Sequence, residues 1–140
     1  MQGCGLSAKL DIATTRGDRP GMMNTLFSVA IGGAIGACLR YGVGLTVAFP
    51  LGTLTVNMIG SFAIGVVWIF LPSKELHHWL PFLMTGLLGG FTTFSAFSLD
   101  AVTLYERGQV GAAAGYVAVS VVFSIGALFA GMTLMKGALQ

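Results

Sequence analysis

The sequence predicts an all-α membrane protein of four transmembrane helices, and three observations lead there. Of 140 residues, 55% are hydrophobic and only 9% charged, and the mean hydropathy is +0.85, far from the balance of a soluble domain. Four apolar runs of about 20 residues, each long enough to cross a bilayer, follow one another with short polar joins. They use up most of the chain, so no room remains for a separate catalytic domain. A single all-apolar helix can be the core of a soluble protein, but four in succession read as membrane spans.

Residues 1–22 are polar, carry Lys9, Arg16 and Arg19, and lack the apolar stretch of a secretory signal. They read as a disordered leader. The composition changes sharply at Met22-Met23, which makes either Met a candidate start and residues 23–140 the membrane domain. The first span is expected over about residues 25–48, with Gly32, Gly33 and Gly36 placing small residues on one face, and with Arg40 beside Tyr41 before Phe49-Pro50 closes it. The second, residues 51–71, has no charge and sets Asn57 and Ser61 at i, i+4 on one face. Pro72-Ser73-Lys74-Glu75 marks the next loop.

The third span, residues 79–99, is uncharged, yet its centre reads Gly89-Gly90-Phe91-Thr92-Thr93-Phe94-Ser95. Poor helix formers and polar side chains at that depth predict a helix broken in the middle of the membrane. After the polar residues 100–109, the fourth span covers residues 110–134 and carries Tyr116, Ser120 and Ser124 at i, i+4, i+8. Such a stripe should face protein or water.

Net charge is +2 with the seven basic residues scattered singly, which excludes a basic patch able to track nucleic acid. Cys4 and Cys38 lie far apart in different settings, so neither a disulfide framework nor a thiolate metal site is indicated. Four spans put both termini on one side. Lys74 and Lys136 then oppose Arg40 and Arg107, two against two, and the orientation signal is close to nil. A chain without preference can insert both ways and pair with its own inverted copy, unless a retained leader biases it.

Backbone polar groups in hydrocarbon must be satisfied, so a broken helix is tolerated only against protein or a water-filled cavity. Its carbonyl and amide ends can hold a cation, an anion or both; a glycine packing notch is the simpler alternative. Asn57 can donate to a crossing anion or tie two helices together. Phe94 and Phe97, three residues apart, can turn positive ring edges to an anion or merely pack. The hydroxyls of Tyr116, Ser120 and Ser124 can line a path or bond between helices. Arg40 can anchor at the interface or attract anions to a pore mouth. The adjacent His77 and His78, followed by Trp79, suit a membrane boundary.

Two segments carry a family resemblance. Gly52-Thr53-Leu54-Thr55-Val56-Asn57-Met58-Ile59-Gly60-Ser61-Phe62 and Gly89-Gly90-Phe91-Thr92-Thr93-Phe94-Ser95-Ala96-Phe97-Ser98 resemble the signature segments of the bacterial CrcB/Fluc fluoride channels. The similarity extends from about residue 23 to the C-terminus, with a Gly-Gly-x-x-Gly-Ala-x-x-Arg-Tyr pattern ending at Tyr41 and Glu106-Arg107-Gly108 before the last span. It implies an antiparallel, dual-topology homodimer in the bacterial cytoplasmic membrane, with two fluoride pores and a central structural sodium ion.

Carried over by motif, the resemblance implies that Asn57 lines the pore and that Phe94 and Phe97 present ring edges to fluoride. The backbone carbonyls of Gly89 and Thr92 would hold the sodium, with Thr93 and Ser95 beside them. Tyr116, Ser120 and Ser124 match the polar track on the last helix. Ala96 and Asp100 depart from the Thr and Glu common in the family, and Ala96 removes a hydroxyl.

The implied activity is passive export of fluoride, relieving its toxicity. A narrow path must replace the water of a small, strongly hydrated anion with donors that chloride cannot use equally well. The sequence holds no HExxH, nucleophile–base pair or nucleotide loop, so no enzyme is expected. Two rivals remain. A proton-coupled small-molecule exporter needs an intramembrane carboxylate, and Glu75, Asp100 and Glu106 all lie in loops or at a span end. A membrane scaffold needs only helix-tying polar residues.

Overall fold

The computed structural model describes residues 19–140, and the leader expected up to residue 22 lies outside the described residues as far as residue 18. The described residues hold helices and no strand. In order these are α1 (Arg19–Thr46), α2 (Leu51–Ser73), a 3-10 turn (His77–Trp79), a π-helical stretch (Pro81–Leu88) running into the short α3 (Gly89–Phe91), α4 (Phe94–Glu106) and α5 (Val110–Ala138). Four stretches are long and apolar enough to cross a membrane: Gly21–Thr46, Leu51–Ser73, His77–Glu106 and Val110–Ala138. The shortest has 23 residues, about 35 Å of helix against roughly 30 Å of hydrocarbon.

The third span runs further than the composition implies, to Glu106 instead of residue 99, because α4 continues to bury apolar surface past Asp100. Leu104 packs with Phe97, Ala113 and Tyr116 in one cluster. Gly108 then ends it at φ 75: its N–H donates to the Tyr105 carbonyl at 2.9 Å and that of Gln109 to the Leu104 carbonyl at 3.1 Å, a Schellman cap. The same cap closes α2, where Glu75 and Leu76 donate to the Pro72 and Leu71 carbonyls. There the left-handed residue is Glu75, at φ 58.

Packing rests on close backbone approach. A Cβ on Gly65 would collide with the Leu128 carbonyl of α5, and one on Gly131 with the Phe62 carbonyl of α2. On the other side, Gly32 and Gly36 of α1 lie against the carbonyls of Phe82 and Leu87. Apolar side chains gain little by leaving lipid for each other, so helices in a membrane associate where small residues let backbones meet. The buried core is correspondingly thin, with Val56 the most enclosed side chain. Large apolar side chains such as Leu26, Leu39, Val122 and Phe129 are exposed on the outer faces.

The helical hydrogen-bond ladder of the third span breaks at Thr92 (φ −77, ψ 155) and Thr93 (φ −154, ψ 121), inside the segment whose composition predicts it. Thr93 serves as N-cap of α4, its Oγ1 accepting the Ala96 N–H at 3.2 Å. The break has a partner waiting on α2.

Candidate functional site

Asn57 meets the break through both ends of its amide. Its Nδ2 donates to the Thr93 carbonyl at 3.0 Å, and its Oδ1 accepts the Thr93 N–H at 2.8 Å. Thr93, extended and unable to bond within a helix, thus has both backbone groups satisfied by one side chain. An amide has four hydrogen-bonding positions, so one N–H of Asn57 and one lone pair of its oxygen remain.

These diversions expose carbonyls. In an unbroken helix the Gly89 carbonyl would receive the N–H of Thr93 and the Thr92 carbonyl that of Ala96. The first goes to Asn57 and the second to Thr93 Oγ1. The Gly89 carbonyl thus loses the donor that a continuous helix would give it, and the Thr92 carbonyl, at ψ 155, is turned out of the helical ladder. Between them in sequence, the Gly90 carbonyl accepts the Nε of Arg40 at 3.1 Å.

Beside the break lies an open groove of about 330 Å³ between α2, α4 and α5. Asn57, Thr93, Phe94, Phe97, Ser120 and Ser124 all line it, which brings together six of the side chains that the sequence nominates for an anion path. No charged side chain lines it. Phe97 is buried while Phe94 is 78% exposed, their rings tilted by 43° with centroids 5.4 Å apart. Ser120 is 4% exposed, and its Oγ has no hydrogen-bond partner.

Tyr116 and Ser95 stand outside the groove's wall. Tyr116 is buried against Phe97, ring centroids 5.6 Å apart, and its hydroxyl donates to Asp100 Oδ2 at 3.2 Å. Its hydroxyl therefore ties α5 to α4. Ser95 is exposed, its Oγ 3.2 Å from Thr93 Oγ1. Arg40 does not reach outward; it is half-buried and borders a smaller recess of about 120 Å³ with Thr53, Thr93 and Ala96. Ala96 faces this recess, so the hydroxyl it lacks would sit near Arg40 and not in the groove.

Ser61 also lines the groove. Its i, i+4 relation to Asn57 is the signal that could have nominated it. Among the described residues no group of three His, Cys, Asp or Glu is placed to hold a metal ion, and His77 and His78 are exposed at the 3-10 turn.

Comparison with known proteins gives a consistent result. The model of the family described as CrcB-like protein, camphor resistance, matches residues 27–132. A fluoride-specific ion channel FluC of Cereibacter sphaeroides is 56% identical over 122 residues, covering 83% of this chain and 98% of the relative. Those of Paracoccus denitrificans and Rhodospirillum centenum are each 51% identical, over 121 and 128 residues, with the same coverage of 83% and 98%. The family match reaches into all four membrane-spanning stretches and takes in every residue that lines the groove, and the chain belongs to the CrcB family.

Proposed function

We propose that this multi-pass membrane protein is a passive fluoride-selective channel of the bacterial inner membrane, exporting accumulated fluoride. The carrying observation is the groove, whose polar lining is neutral, rich in donors and set against two aromatic rings. The FluC relatives at 47–56% identity are named for the same ion. Fluoride leaving water must find donors at each step. The remaining N–H of Asn57 on α2 and the hydroxyls of Ser120 and Ser124 on α5 offer them from two sides of the groove, and the ring edges of Phe94 and Phe97 offer positive potential where no donor reaches. Ser120 has no other partner for its hydroxyl. Thr93 carries the polar lining to the break with Ser95 beside it, Tyr116 holds α4 and α5 in register, and Arg40, bonded to Gly90, stands at the break and not at the pore mouth. No enzymatic step belongs to this reading.

The assembly in this reading is an antiparallel, dual-topology homodimer. The near-zero orientation bias supports it, as do the open side of the groove and the exposed Phe94, which a second copy would cover. The break falls midway along the span His77–Glu106, which supports a mid-membrane position for it. The carbonyls of Gly89 and Thr92 suit a sodium ion at the dimer centre: hard oxygen donors, freed from their helical partners by the diversions at Thr93 and Ala96. Bound there, sodium would link the two copies structurally.

One observation favours a second reading. The two hydrogen bonds between Asn57 and Thr93, one donated and one accepted by the amide, are what a scaffold needs to tie α2 to the third span. Fluoride efflux from proteoliposomes, measured with a fluoride electrode beside a chloride control, separates the two. The wild type should release fluoride rapidly and retain chloride, and Phe94→Ile should abolish release while preserving a monodisperse size-exclusion profile. Fluoride-tight liposomes containing folded wild type would leave the scaffold.

A further inference from the structure

At the break the Gly89 and Thr92 carbonyls have lost their helical donors, and the Gly90 carbonyl between them accepts from Arg40, 50 residues away on α1. Successive helical residues are turned by about 100°, so Gly90 stands on a different side of the turn from Gly89, against Gly33 of α1. Arg40 therefore grips the last turn of α3 from behind. The grip is supported on both sides: a Cβ on Gly90 would strike Gly33, and one on Gly36 the Leu87 carbonyl, so α1 lies directly on the backbone of this turn. The fixed plane of a guanidinium makes Nε a directional donor. It also places a positive charge on the carbonyl end of a helix, where it is favourable.

We infer that Arg40 is a positioning residue of the carbonyl pair and determines which cation the pair accepts. The inference rests on the reading of Gly89 and Thr92 as sodium ligands. Discrimination between sodium and the larger potassium depends on cavity size, ligand number and rigidity. Two carbonyls on a turn clamped from behind keep one spacing. Released from Arg40, the turn is free to open toward the extended residues Thr92 and Thr93, and a wider spacing serves potassium as well as sodium. Arg40 thus acts on the cation through the Gly90 peptide, without touching it.

The test is thermal unfolding of the purified full-length protein in detergent, titrated with NaCl or KCl at constant ionic strength made up with N-methylglucamine chloride. In the wild type, sodium should protect at a concentration at least about tenfold below that of potassium. Arg40→Gln should bring the two midpoints to within about threefold of each other, and Arg40→Lys, which keeps a cationic donor for Gly90, should restore most of the ratio. A purely structural role for Arg40 would lower stability equally in both salts and leave the ratio as it was, and that result overturns the inference. Arg40→Met retains the apolar stem and provides the same ratio if Arg40→Gln is not monodisperse. Absence of any sodium protection in the wild type would instead remove the sodium reading, and the role of Arg40 with it.

Discussion

Replacing Asn57 by Asp exchanges one NH2 for one oxygen and leaves the shape of the side chain intact. Its Oδ1 can still accept the Thr93 N–H, now at 2.8 Å from Asn57, and an ionised acceptor strengthens that bond. The second oxygen falls where Nδ2 lies 3.0 Å from the Thr93 carbonyl, so a donation becomes a repulsion between two acceptors. Loss of that bond and the burial of part of a carboxylate should lower stability by about 1–3 kcal/mol. The effect on flux should be far larger. A fluoride ion drawn to within about 4 Å of this position meets a like charge instead of a donor, which at an effective dielectric near 20 is worth roughly 4 kcal/mol. At about 1.4 kcal/mol per decade, that slows passage roughly a thousandfold. Fluoride-electrode efflux at neutral pH measures the rate, and a melting curve on the same preparation the stability. Efflux within tenfold of the wild type from a folded Asn57→Asp protein would refute the assignment of Asn57 to the path and leave it as a helix tie.

Ser120→Ala removes a buried hydroxyl that has no partner, so the melting temperature should hold or rise slightly while fluoride efflux falls at least tenfold; a marked loss of stability would mean that the hydroxyl is satisfied by a group of the protein. Gly36→Ala drives a methyl into the Leu87 carbonyl and should cost about 1–3 kcal/mol, read as a lowered melting temperature. Glu75→Gly should raise stability by about 1 kcal/mol, since glycine carries no penalty at the left-handed φ of 58, and it should leave efflux unchanged because Glu75 is exposed in a loop.

Local chemistry was readable along the chain. Long apolar runs marked the four spans, and the clustering of glycine and threonine at residues 89–95 enclosed the break at Thr92 and Thr93, because both depend on near neighbours. The shared face of Asn57 and Ser61 followed from helical spacing alone. What spacing could not convey is where a polar group finds its partner. Arg40 beside Tyr41 reads as an interfacial anchor or a charge at a pore mouth, and only the packing of α1 on α3 brings it to Gly90. Tyr116 shared a stripe with Ser120 and Ser124, yet its longer side chain carries the hydroxyl past the groove to Asp100. The third span outlasts its composition for a related reason: residues 100–109 are polar on average, but Leu104, with Ala101 beside it, gives α4 a buried side.

An asparagine amide is ordinarily free to turn over, presenting its oxygen or its nitrogen with little difference in energy. At position 57 that freedom is gone, since Thr93 offers a donor at one end and an acceptor at the other, and only one orientation satisfies both. A flip would set two acceptors face to face and two donors face to face. The hydrogen left over on Nδ2 is therefore locked in direction. An ion travelling past meets a lining whose sign has been decided by the backbone behind it, and a cation cannot coax the amide into offering its lone pairs instead.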